Sequence, residues 1–202
     1  MTQINVFHKR PHSRIGQYLW ILLLIWTGSV VATETITITS TEFREPIARY
    51  IEVLEDETGN LTIDELVKHK TNRAFYNRNV EIFNFGHNAS AFWFRIPVEN
   101  KTEHELYLTL EVNFPLLDDI RFFSPDETNT FTELRLGDTI PFDQRKIKNR
   151  NFLIPFYLKA EEAKTYYLRI KSESTLLLPI YLSTGSTLTQ QFSWQELLLG
   201  CF

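Results

Sequence analysis

Eight residues in the middle of the chain combine flat rings, guanidinium groups and a carboxylate at positions that alternate with aliphatic ones. They are Trp93, Arg95, Tyr107, Glu111, Tyr157, Tyr167, Arg169 and Tyr181. A sheet face turned only to water would carry more Lys, Glu and Thr. Rings with polar tips stack on the apolar face of a sugar or grip a peptide, while Arg and Glu fix hydroxyls or carboxylates through directional hydrogen bonds. The pattern therefore fits a ligand-recognition face. Aromatic residues also favour strands for packing reasons alone, so a covering loop, the 61–70 helix or a partner protein would account for the same set.

Catalytic chemistry finds less support. Beyond the N-terminal segment the histidines are His69, His87 and His104, with no metal-ligand spacing, and no G-x-S-x-G, H-E-x-x-H or P-loop pattern is present. Asp118-Asp119 and Glu55-Asp56-Glu57 lack the spacing of an EF-hand loop and read as acidic turns. A glycosidase needs two carboxylates about 5–10 Å apart, and Glu111 is the one carboxylate on the aromatic face. No catalytic residue, metal or cofactor is expected. Hydrolysis of carbohydrate stays a minor alternative.

The elements that position these residues follow from periodicity. Phe92, Phe94, Ile96 and Val98 form one alternating run, and Leu106, Leu108, Leu110 and Val112 a second. Phe152 to Leu158, Tyr166 to Ile170, and Leu176 to Leu182 continue the pattern, each reading as a strand with one face in a core. Turn formers separate them at 99–102, 124–129, 137–138 and 159–164. Strands in series without interleaved helices predict an all-β antiparallel β-sandwich, of which a jelly roll of about eight strands is the natural form. One helix is expected at 62–70, where Thr62 and Glu65 have the spacing of a capping box. Residues 34–45 are Thr-rich and alternating, and read as a leader or edge strand.

The ends describe the compartment. Lys9, Arg10 and Arg14 precede the apolar run Tyr18 to Trp26, and Val30-Val31-Ala32 supplies small residues for cleavage. Residues 1–32 therefore read as an export signal, or a retained signal anchor. Without its three cations the formal charge falls from −4 to −7, which argues against a nucleic-acid partner. The basic cluster at 145–150 reads as a solvated loop. Cys201 is the one cysteine, so stability comes from packing rather than disulfides. Three N-x-S/T sequons, at Asn60, Asn88 and Asn100, fall within the β-rich part. The expected divisions are 1–32 signal, 33–45 leader or edge strand, 46–188 sandwich, and 189–202 linker with the start of a membrane helix.

Several pieces occur together and in order: Tyr50 to Asp56, Gly59 to Ile63, Asn84-Phe85-Gly86, Phe92 to Asn100, Asn113 to Ile120, Leu136-Gly137-Asp138, Tyr166 to Ile170 with Ser172, and Pro179 to Leu182. Their sum resembles the extracytoplasmic domain of bacterial seven-transmembrane receptors with diverse intracellular signalling modules. The resemblance implies a jelly roll similar to carbohydrate-binding modules, on the periplasmic face of the inner membrane. It also implies a small-molecule ligand and a relay through membrane helices to a cytoplasmic output. Those helices and the output module are missing from this sequence, which reads as a truncated frame or a fragment. Trp93, Arg95, Asn100 and Arg169 fall at positions to watch, either for ligand or as buried architecture. A periplasmic protein-interaction domain, including a dimer formed through the aromatic face, is the alternative.

Overall fold

The computed structural model describes residues 34–187 apart from 69–73, 143–144, 146 and 186. The chain divides into two compact units, Met1–Ala32 and Thr33–Phe202. The expected signal, the 189–202 segment and Cys201 lie outside the described residues, as do His69 and Lys70 at the end of the expected helix.

Thirteen strands are described: β1 Ile36–Ile38, β2 Arg44–Pro46, β3 Glu52–Asp56, β4 Tyr76–Asn77, β5 Phe83–His87, β6 Ala91–Asn100, β7 Leu106–Val112, β8 Asp119–Pro125, β9 Phe131–Leu136, β10 Phe152–Leu158, β11 Ala163–Lys171, β12 Thr175–Leu178 and β13 Ile180–Thr184. A 3-10 turn, Ala48–Tyr50, precedes β3, and the helix α1 spans Ile63–Val67. The larger sheet has the order β4-β3-β6-β11-β8-β9, with β1 also on β6; a second runs β10-β7-β13-β2; β12 and β5 form a short third sheet. Except for β1, which lies parallel to β6, the ladders are antiparallel.

The spine is β6. Its first half pairs with β3 and its last residues with β1, while β11 runs along the other side. Phe92, Phe94, Ile96 and Val98 project from it into one buried cluster shared with Leu106, Leu108, Leu110 and Val112 of β7 and with Ile154 and Leu158 of β10. The period-two runs thus fill the space between the larger sheet and the β10-β7-β13-β2 sheet. This is the β-sandwich that the alternation predicts.

Three local expectations need correction. The run from Leu176 to Leu182 is not one strand: β12 and β13 belong to different sheets and meet at Pro179. Its alternation persists because Leu176, Leu178, Ile180 and Leu182 all enter the same core. Residues 34–45 likewise split between sheets, β1 on β6 and β2 on β13. The acidic turn expected at Glu55-Asp56-Glu57 begins later, since β3 runs to Asp56 and Gly59, at φ +66°, makes the reversal. Strands β8 and β9 were not among the expected runs, although Ile120 and Phe122 enter the core in alternation with Arg121 and Phe123.

The helix begins as expected. The Thr62 hydroxyl accepts the Glu65 amide at 3.4 Å and the Glu65 carboxylate accepts the Thr62 amide at 2.9 Å, a reciprocal capping box. Leu66 presses onto the outer face of the larger sheet. There it joins Leu54, Trp93 and Phe123 in a second buried cluster, flanked by Leu61, Ile63, Phe75, Phe131 and Tyr167.

Candidate functional site

The eight expected site residues do not share one face. Strands β6 and β11 belong to the larger sheet and β7, β10 and β13 to the smaller one. Positions alternating with the common core therefore point away on opposite sides of the sandwich. Trp93, Arg95, Tyr167 and Arg169 form one group; Tyr107, Glu111, Tyr157 and Tyr181 form the other.

On the larger sheet the group is engaged in packing and ion pairing. Trp93 is 1% exposed and stacks on Phe123, with ring centroids 5.3 Å apart. The register places Glu52, Arg95, Tyr167 and Phe123 in one row across four strands. Arg95 pairs with Glu52 beside it and lays its guanidinium 4.7 Å over the Phe75 ring. Tyr167 packs between Phe75, at 6.2 Å, and the edge of Phe131, at 5.7 Å. Burial holds the Tyr167 hydroxyl above its ordinary range, with Arg95 acting the other way and Glu52 adding to the rise.

Arg169 is 5% exposed; it donates to Asp119 at 2.6 Å and to the Gly59 carbonyl at 2.9 Å, fastening the turn before α1 to the sheet. Asn100 is fully buried. Its amide nitrogen donates to the His104 and Lys159 carbonyls, and its oxygen accepts the Thr102 amide and hydroxyl. These side chains hold turns and covering layers in place.

The smaller sheet presents a different surface. Tyr107 and Tyr157 are direct partners across β7 and β10, with ring centroids 4.9 Å apart and planes tilted by 54°. They are 39% and 62% exposed. Burial, then the neighbouring Tyr157, raises the Tyr107 hydroxyl above its ordinary range. Just past the end of β13, Gly185 lies against the Tyr107 ring: a Cβ there would approach Cδ1 to 2.8 Å. Further along β7, Thr109 is buried and its carbonyl accepts the Ser183 hydroxyl at 3.5 Å.

Glu111 and Tyr181 are partners across β7 and β13. Glu111 is 6% exposed, and its carboxylate accepts from Arg44 Nη2 at 3.1 Å and from Asn151 Nδ2 at 2.7 Å. Arg44 also lies 4.6 Å over the Tyr181 ring. On this face the buried Thr109 and Ser183 separate an exposed tyrosine pair at one end from a braced carboxylate, guanidinium and tyrosine at the other. By rise per residue the two ends are about 13 Å apart. Sequence reasoning missed Arg44 and Asn151, because each reaches Glu111 through a long-range contact that leaves no local period.

Among the described residues no group of three His, Cys, Asp or Glu side chains is placed to hold a metal ion. Nor does any helix among them have the length and apolarity to cross a membrane. Comparison with curated proteins returns no match. A family model for the 7TMR-DISM extracellular 2 domain matches residues 48–184, from the 3-10 turn to the end of β13. With more than half of its length covered by that match, the chain belongs to the 7TMR-DISM extracellular 2 family, the extracytoplasmic sensory domains of membrane receptors.

Proposed function

We propose that this sensory domain binds a small ligand, a carbohydrate or a carbohydrate derivative, on the outer face of the smaller sheet. One observation carries the reading. Tyr107 and Tyr157 pair across β7 and β10 and still expose ring surface, in line with a carboxylate held by Arg44 and Asn151. Aromatic faces cover the apolar side of a sugar ring, and the braced Glu111–Arg44–Asn151 group supplies acceptors and donors for its hydroxyls. Because these groups are already oriented, a ligand would pay little ordering cost. This reading takes the sandwich as a jelly roll similar to carbohydrate-binding modules, with an export signal before it and a membrane relay after it.

For such a domain to signal, the ligand must bind two of its states with different affinity. The structure suits that requirement at Gly185, where the chain leaves β13 against the Tyr107 ring. Titration calorimetry of the chain against neutral and acidic sugars tests the reading. A saturable heat with one sugar class, lost in the Tyr107→Ala/Tyr157→Ala double variant while the fold persists, supports it. Self-association through the same tyrosines, seen by light scattering and lost in the same variant, would favour the interaction-domain reading instead.

A further inference from the structure

On the opposite side of the sandwich a cavity of about 630 Å³ opens where the layer covering the larger sheet ends. The end of α1 at Val67 makes one wall and Phe131 another, and Tyr167 lies at the inner side. The rims are two turns. The turn after β8 is closed by Asp126, whose carboxylate accepts the amides of Thr128 and Thr130 at 2.8 and 2.9 Å and the Thr128 hydroxyl at 2.8 Å. The turn before β11 is closed by Glu162, which accepts the Lys159 amide at 2.9 Å and pairs with Lys164, also at 2.9 Å. Lys159 reaches across to Glu127 at 2.5 Å and ties the rims together. The cavity is thus formed in advance by contacts that do not depend on a ligand.

Its volume lies within the roughly 300–1,000 Å³ usual for small-molecule sites. Its charge is one-sided. Among the described residues Asp126, Glu127 and Glu162 line it against the ammonium of Lys164, and adding the Lys159 partner of Glu127 still leaves one negative charge in excess. The hydrogen bond from the Thr128 hydroxyl, then that from the Thr130 amide, keeps Asp126 below the usual carboxylate range. The faces of Phe131 and Tyr167 attract cations through their quadrupoles, and Val67 and Pro125 extend the apolar wall. We propose that this cavity is a second ligand site, separate from the tyrosine face, that takes a small organic cation with an apolar body, of the arylalkylamine type.

The test uses three probes of one shape and different charge, 2-phenylethylamine, 2-phenylethanol and 3-phenylpropionate, titrated calorimetrically into the purified chain. The amine should bind at least about tenfold more tightly than the alcohol, weaken as ionic strength rises, and leave the carboxylate without measurable heat. The isosteric double variant Glu127→Gln/Glu162→Gln should lower amine affinity by about tenfold and alcohol affinity by clearly less. Phe131→Leu, which keeps an apolar filler, should weaken amine and alcohol alike. The Tyr107→Ala/Tyr157→Ala variant should bind the amine as the parent does. Equal affinity for the three probes, no binding of the amine, or amine binding insensitive to the Glu→Gln pair would overturn the proposal. So would its loss in the tyrosine variant, which would place the amine on the other face.

Discussion

Trp93 lies nearly parallel to Phe123, with centroids 5.3 Å apart and planes 25° from one another, under the helix that Thr62 caps. This stack turns a residue that alternation places outside the core into part of a second core. The outer face of the larger sheet is therefore roofed where Trp93 and Tyr167 emerge, and the roof rests on Leu54, Leu66 and Phe123.

Replacing Trp93 by Ala should destabilise the domain by about 3–5 kcal/mol, the usual loss for a large buried aromatic. Urea unfolding followed by circular dichroism measures it. A loss below about 1 kcal/mol would mean that the roof is not packed as described.

Gly137 has φ +145°, and a Cβ on it would lie 2.1 Å from the Asp118 carbonyl oxygen. Backbone meets backbone there, so no side chain can yield. Gly137→Ala should cost at least about 2 kcal/mol, whereas Gly86→Ala, with nothing within 4 Å of its added Cβ, should cost less despite its own positive φ. Thermal unfolding of the two variants side by side checks the order.

Asp118 accepts the Ser172 hydroxyl at 2.7 Å and the Glu173 amide at 2.6 Å, and these bonds, the hydroxyl's first, hold its carboxyl below the ordinary value of 3.8. A depressed carboxylate stabilises the fold above its unfolded pKa, and that stability is lost as pH falls through the folded one. Ser172→Ala should therefore be less stable than the parent at neutral pH, with the gap closing below about pH 4. Stability measured across pH 2 to 7 reads the gap, and a difference that does not change with pH would contradict the assignment.

Removing the Arg169 side chain strips the half-buried Gly59 carbonyl of its donor, while Asp119 retains Arg121 at 3.0 Å. Arg169→Met should cost about 1–3 kcal/mol and raise hydrogen exchange first in residues 57–66. Uniform exchange across the sheet instead would show that Arg169 does not anchor that turn.

The Thr62–Glu65 capping box was legible because both partners lie within one helical turn. The inward positions of β6, β7, β10 and β11 were legible because a strand alternates every second residue. What periodicity does not encode is the sheet each strand joins. Tyr107 and Tyr167 share the same pattern, yet β7 and β11 lie in different sheets, so one expected recognition face became two. Arg44 reached the Glu111 group only through the pairing of β2 with β13, across more than a hundred residues of chain. The charged residues Arg95 and Arg169 read equally as ligand contacts or as buried anchors until Glu52, Asp119 and Gly59 were seen beside them.

The proposed sensing face is the smaller sheet, through Tyr107 and Tyr157. Its most direct measurement is the heat of binding of a sugar panel to the parent chain and to Tyr107→Ala/Tyr157→Ala, with folding of both verified by circular dichroism. Saturable binding of one sugar class to the parent is expected, with a loss of at least about tenfold in the variant, given the roughly 1.5–3 kcal/mol that burying a large apolar side chain carries. Unchanged sugar affinity in a folded variant, or a folded parent that binds none of the panel, would contradict it.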